Sequence, residues 1–184
     1  MKNMIRLPLI LFLTLVLAAT IASVFGQTVN APAKNSAVQE YALVVETEEN
    51  RQTKISLSDI SRLSRRTVKV VDHGKEATFE GVALVEVLKL GDIEFGDKLR
   101  GRRLASFLLV EAADDYRAVL ALPEIDPAFT DKLILLADRR DGKPLSGGEG
   151  NLRLVVPDEK KQARWMRQIV RLKILRADDK NASR

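Results

Sequence analysis

Catalysis needs reactive side chains held close together, and this chain offers few. It has one histidine, His73, and no cysteine. Without a thiolate it lacks the soft donor and nucleophile of many enzyme centres. Zinc normally takes three or four ligands from His, Cys and carboxylates, more than one histidine supplies. His73 lies in Asp72-His73-Gly74-Lys75, a turn in which Gly74 is free to take positive φ. It reads as an exposed turn residue, with a pH-sensitive or metal-binding role as the alternative. A lone turn histidine gives a Ser-His-Asp triad no support. Asp114-Asp115, and Asp138 with Asp141, offer oxygens suited to calcium, but turn aspartates more often bond their own backbone. Gly147-Gly148 does not lead from a strand into a helix, so it is a poor phosphate cradle. Arg102-Arg103 and Arg139-Arg140 read as solvated or partner-facing pairs at strand ends. No catalytic residue and no metal ligand is assigned.

The elements that position these groups follow from the apolar pattern. Strands are expected over Tyr41–Val45, Thr67–Val71, Leu104–Val110, Tyr116–Leu122, Leu133–Ala137 and Leu152–Val156. A last strand alternates Val170, Leu172 and Ile174 against Arg171 and Lys173. Ser56 caps a short helix whose Leu57, Ile60 and Leu63 share a face, with Asp59 at the favourable end of its dipole. A second helix carries Leu84, Val87 and Leu88 and ends at Gly91. Asp141-Gly142 is a turn, and Pro123–Pro127 is a break or short helix. Phe79 and Trp165 read as core anchors. Short strands with two small helices predict an α+β domain dominated by a mixed β-sheet.

Several segments together resemble the molybdopterin-binding domain of the sulfite oxidase family. Phe79-Glu80-Gly81-Val82-Ala83-Leu84 is similar to its W-x-G-V-P-L segment, and Asp115-Tyr116 stands where it has Asp-Gly-Tyr. Asp141-Gly142-Lys143-Pro144-Leu145 is similar to its Gly-x-Pro-Leu turn. Lys161-Gln162-Ala163-Arg164-Trp165 is similar to its K-S-V-K-W segment. The resemblance runs from Ile55 to Ile174 and implies a sulfite-oxidase-type molybdopterin-binding fold.

The departures fall on the cofactor site. The family holds molybdenum through a cysteine thiolate, expected here between Val70 and Lys75, where only Asp72 and His73 stand. Neither a carboxylate nor an imidazole is an equivalent ligand. The family's His-Gly-x-Pro-Leu-Arg is reduced to Glu149-Gly150-Asn151-Leu152-Arg153. Arg153, Lys161 and Arg164 match positions near the family's pterin-phosphate contacts, so the resemblance makes them candidate anion or pterin-phosphate contacts. The alternative is that they are solvated, or pair with Glu149 and Asp158. No cofactor is expected, with molybdopterin implied by the resemblance alone.

The first residues carry Lys2 and Arg6, then an apolar run from Leu7 to Ala22 and a small-residue end at Val24-Phe25-Gly26. This pattern predicts a signal peptide over 1–26 and a periplasmic or secreted protein. An uncleaved N-terminal membrane anchor is the alternative. The segment lacks twin arginines, whereas secreted enzymes of the resembled family usually leave the cytoplasm folded with cofactor loaded. A flexible linker over 27–39, a domain over 40–176 and a polar tail over 177–184 follow. The net charge is +5, and removal of 1–26 takes away two cations and no acid, leaving +3. That mild charge points away from nucleic acid. The sequence therefore predicts a non-catalytic module that binds a small anion or a protein partner. A molybdopterin-dependent oxidoreductase with atypical ligation, or an accessory subunit of a redox complex, is the alternative.

Overall fold

In the computed structural model the structure describes residues 42–177. The expected signal peptide, the linker, Tyr41 and all of the tail but Ala177 lie outside the described residues. Ten strands form two five-stranded sheets. The first runs in the order β2 (Gln52–Ile55), β1 (Leu43–Glu46), β10 (Ile169–Arg176), β5 (Ser106–Ala112), β6 (Arg117–Ala121). The second runs β3 (Arg65–Asp72), β4 (Lys75–Ala83), β7 (Leu135–Arg140), β8 (Lys143–Pro144), with β9 (Arg153–Val155) also on β7. The β1–β10 pair is parallel, and all other pairs are antiparallel. With two short helices, α1 (Leu57–Ser61) and α2 (Leu84–Leu90), this is an α+β fold with one mixed and one antiparallel sheet.

Local chemistry explains the elements. Ser56 Oγ accepts from the Asp59 amide at 3.1 Å, and Asp59 Oδ2 accepts from the Ser56 amide at 3.0 Å. This reciprocal capping starts α1. The Ser56 bonds also hold the Asp59 carboxyl below its usual range. Only Ile60 of the helix is fully buried, and Leu57 is 44% exposed, because the helix ends at Ser61 after little more than one turn. His73 and Gly74 both take positive φ, 50° and 80°, which suits the two-residue turn joining β3 to β4. Gly81 sits where β4 passes β7. A Cβ there would lie 2.1 Å from the Leu136 carbonyl oxygen, so only glycine allows this approach.

Leu43, Val45, Phe79, Val82, Leu108, Leu120, Leu135 and Leu154, drawn from both sheets, join one buried core with α2. Three expectations shift in detail. Leu104 belongs to a 3-10 turn (Gly101–Ala105) and is exposed, so β5 starts at Ser106. The strand expected over Leu133–Ala137 begins at Leu135 and runs on to Arg140. The register of β10 against β5 shifts between Ile169 and Arg171. This bulge turns Val170 outward and puts Ile169 with Leu172 and Ile174 in the core.

Candidate functional site

The site grows from the end of β3. On this strand Val68, Val70 and Asp72 alternate toward the interior, so strand periodicity carries Asp72 inside. Asp72 is 2% exposed. A buried carboxylate needs compensating charge, and two arginines supply it. Arg153 of β9 donates from Nη1 to Asp72 Oδ2 at 3.1 Å and from Nη2 to Oδ1 at 2.9 Å. Arg140, at the end of β7, places Nη1 2.9 Å from Asp72 Oδ2. Glu149 accepts from Arg153 Nη1 at 2.6 Å and lies 3.4 Å from Arg140 Nη1. Two carboxylates thus neutralise two guanidinium groups.

Phe79 underlies this cluster. The Arg153 and Arg140 guanidinium carbons lie 4.9 Å and 5.4 Å from its ring centroid, within cation–π range. Trp165 meets Phe79 edge-on, with centroids 6.5 Å apart at 89°, and donates from Nε1 to the Val156 carbonyl at 2.9 Å. Both aromatics are core residues, as expected, and Phe79 also supports the ion cluster. Arg153 Nε is buried without a hydrogen-bond partner.

The three candidate anion contacts have different surroundings. Arg153 is 3% exposed, and both of its terminal nitrogens are engaged by Asp72 and Glu149. Arg164 donates from Nε to Glu159 at 2.6 Å and from Nη1 to Glu124 at 3.0 Å. Burial works against its charge, but the bonds to Glu124 and Glu159 outweigh this and raise its pKa. Lys161 is exposed and lines an open cleft of about 1220 Å³. Arg153 and Arg164 do not line that cleft. The pairing of Arg153 with Glu149 agrees with the structural alternative raised by the sequence, whereas Arg164 uses Glu159 and Glu124 rather than Asp158.

The cleft lies between the β3–β4 hairpin and residues 157–165, with Lys69, Val71, His73, Glu76, Lys161 and Trp165 among its walls. One short segment organises its floor. In the 3-10 turn Gln162–Arg164, Gln162 Nε2 donates to the Val71 carbonyl at 2.5 Å and Oε1 accepts from the His73 amide at 3.3 Å. Arg164 Nη1 donates to the Val119 carbonyl at 3.0 Å, and Ala163 accepts from the Tyr116 hydroxyl at 2.9 Å. Strands β3 and β6 each lie at the edge of a sheet. The turn therefore ties one edge of each sheet to the other.

Other candidates take ordinary structural roles. Asp114 accepts from the Tyr116 amide at 3.2 Å, and Asp141 from the Thr78 amide at 2.8 Å. Asp138 holds Arg65 through two bonds of 2.8 and 2.5 Å. Among the described residues no group of three His or acidic side chains is arranged to hold a metal. His73 is exposed, with Nε2 3.8 Å from Asp72 Oδ1. Arg103 pairs with Glu94, and Arg139 bonds the Gly142 carbonyl. Arg140 corrects the solvated or partner-facing reading of its pair, because it turns into the ion cluster. Sequence reasoning also missed Asp72, which it placed in the turn. Its inward parity with Val68 and Val70 was the available signal.

No family model matches the sequence, and no curated protein matches it. Among solved structures the chain is similar to the sulfane dehydrogenase SoxCD from Paracoccus pantotrophus, at 18% identity and a TM-score of 0.58. The likeness is one of fold. It covers 74% of this chain and 38% of that chain, so the protein spans well under half the length of this neighbour.

A molybdenum centre of the resembled type does not fit the residues present. No cysteine exists to ligate it. At the expected position, both oxygens of Asp72 face guanidinium groups. A metal cation placed there would meet two positive charges at close range, in a setting where charges are poorly screened.

Proposed function

We propose that this protein is a secreted or periplasmic domain of sulfite-oxidase-type fold that works as a non-catalytic binding module, with a protein segment as its ligand. The carrying observation is the two-bond clamp between Asp72 and Arg153. It neutralises the arginine that the resemblance assigns to an anionic cofactor, and it fills the metal position with a paired carboxylate. Arg164 is likewise matched by its own acids. Of the three candidate contacts, Lys161 remains, beside Lys160 on the open cleft. Open, about 1220 Å³ in volume and lined by Lys69, Lys160 and Lys161, that cleft favours a chain segment over a small anion. The fold likeness to a sulfane dehydrogenase supports descent from an oxidoreductase scaffold, and site chemistry rather than fold decides function.

The deciding experiment is the molybdenum and pterin content of protein purified from a cofactor-producing host, in exported and cytoplasmically retained forms. Well-folded protein without either component is expected in both. Near-stoichiometric metal with pterin would overturn the reading and restore an oxidoreductase with atypical ligation.

A further inference from the structure

One wall of the cleft is an unpaired strand edge. Strand β3 pairs with β4 on one side and is the last strand of its sheet. The two-residue turn closes on the Asp72–Lys75 pair. In the alternating antiparallel ladder, Arg66, Val68, Val70 and Asp72 therefore turn their backbone groups to β4. Arg65, Thr67, Lys69 and Val71 turn theirs outward. Gln162 reveals this outward set by donating to the Val71 carbonyl and accepting from the His73 amide. These two bonds straddle Asp72 as a residue of a neighbouring strand would. The imitation ends there. Among the described residues, the outward amide and carbonyl groups of Thr67 and Lys69 meet no hydrogen-bond partner.

The charge along this margin selects the partner. Arg66, Lys69, Lys160 and Lys161 are exposed, and among the described residues none has a carboxylate within ion-pair distance. The acids of the same margin without an ion-pair partner are Glu76, Asp158 and Glu80, which stands opposite Thr67, three against these four cations, so positive charge is in slight excess. Arg65 is already held by Asp138. A second copy would bring the same cations against themselves, and lysines on a strand edge oppose such self-pairing. A strand of opposite charge gains both ladder bonds and cross-strand ion pairs.

We propose that β3 is a docking edge for an extended acidic segment of a partner protein, which adds beside Arg65–Lys69 as a further strand. Its carboxylates meet Lys69, Lys160 and Lys161 from the cleft side and Arg66 from the opposite face. This rests on the binding-module reading and names the ligand class of the cleft.

The test is a random decapeptide phage library panned on the whole exported protein, followed by titration of synthetic peptides made from the selected sequences. The selected peptides are expected to be rich in Glu and Asp and to lose affinity as salt rises. Thr67→Pro removes an outward N–H and no β3–β4 ladder bond, and is expected to weaken binding at least about tenfold, the loss of roughly 1.4 kcal/mol. Lys69→Glu gives a second variant that keeps the backbone intact and should weaken acidic peptides equally. Circular dichroism checks that both variants fold. Recovery of no peptide, or of peptides without acidic bias, overturns the proposal. So does binding unchanged by both substitutions, and that outcome leaves a binding module with its surface elsewhere. Metal and pterin in the purified protein would instead remove the module reading itself.

Discussion

Asp72 and Arg153 stand 81 residues apart in sequence and meet through two hydrogen bonds of 3.1 and 2.9 Å. Both side chains are almost wholly buried, so each provides the other's only strong substitute for water together with Arg140 and Glu149. Breaking such a pair leaves an uncompensated charge in a poorly screened interior, at a cost of about 3–5 kcal/mol. Arg153→Met and Asp72→Leu should each destabilise by about that amount in urea unfolding. The double variant should recover much of the loss, because well-packed apolar groups replace a buried ion pair at little net cost. Additive losses would show that the two residues act separately.

Glu46 gives the stability a pH dependence. It is 3% exposed and accepts from Lys173 at 2.6 Å, Gln52 at 2.9 Å and Arg171 at 2.8 Å. The Lys173 bond, with help from Gln52 and Arg171, holds its carboxyl below the usual 4.5 despite burial. A depressed carboxyl stabilises the fold above its unfolded pKa and loses that contribution as pH falls through the folded value. Stability should therefore decline on acidification below about pH 4.5. Glu46→Gln should lower stability at pH 7 by about 2 kcal/mol and flatten the acid limb. Chemical denaturation from pH 7 to 3 reads both effects.

Gly81→Ala tests the close approach of β4 to β7. The new methyl would overlap the Leu136 carbonyl, and backbone gives way poorly. The expected loss is about 3 kcal/mol, at the upper end for overpacking. Gly74→Ala faces no steric neighbour and should cost about 1 kcal/mol through its positive φ alone. Thermal unfolding of the two variants separates steric clash from backbone strain.

The Gln162–Arg164 turn should protect the sheet edges. Arg164→Ala removes the bond to the Val119 carbonyl and both pairs with Glu124 and Glu159. A loss of about 1–2 kcal/mol is expected. Hydrogen exchange should quicken selectively in β6. Tyr116→Phe deletes one bond to the Ala163 carbonyl and should cost about 1 kcal/mol. Uniform acceleration across both sheets would show that the turn stabilises the domain without protecting that edge.

Much of the fold is legible in sequence where the cause is local. The Ser56 cap, the His73-Gly74 and Asp141-Gly142 turns and helix α2 each follow from a few adjacent residues. Boundaries fail where pairing overrides composition. Leu104 is as apolar as its neighbours, but β5 begins only where its register with β10 begins. Val170 fits a perfect alternation, but a bulge shifts it to the surface. Neither event has a local signature, because both depend on the neighbouring strand.

For function, the sequence alone determines what is absent and which backbone scaffold is resembled. A chain without cysteine has no thiolate to offer molybdenum, whatever its fold. The candidate cations Arg153, Lys161 and Arg164 are also visible in sequence, but their availability is not. Tertiary structure decided that availability, by bringing Asp72 from β3, 81 residues away, onto Arg153 beside its near neighbour Glu149 while leaving Lys161 on the cleft. A side chain's charge is fixed by its type. Whether that charge faces a ligand or is neutralised internally depends on which distant segments share its few ångströms of space.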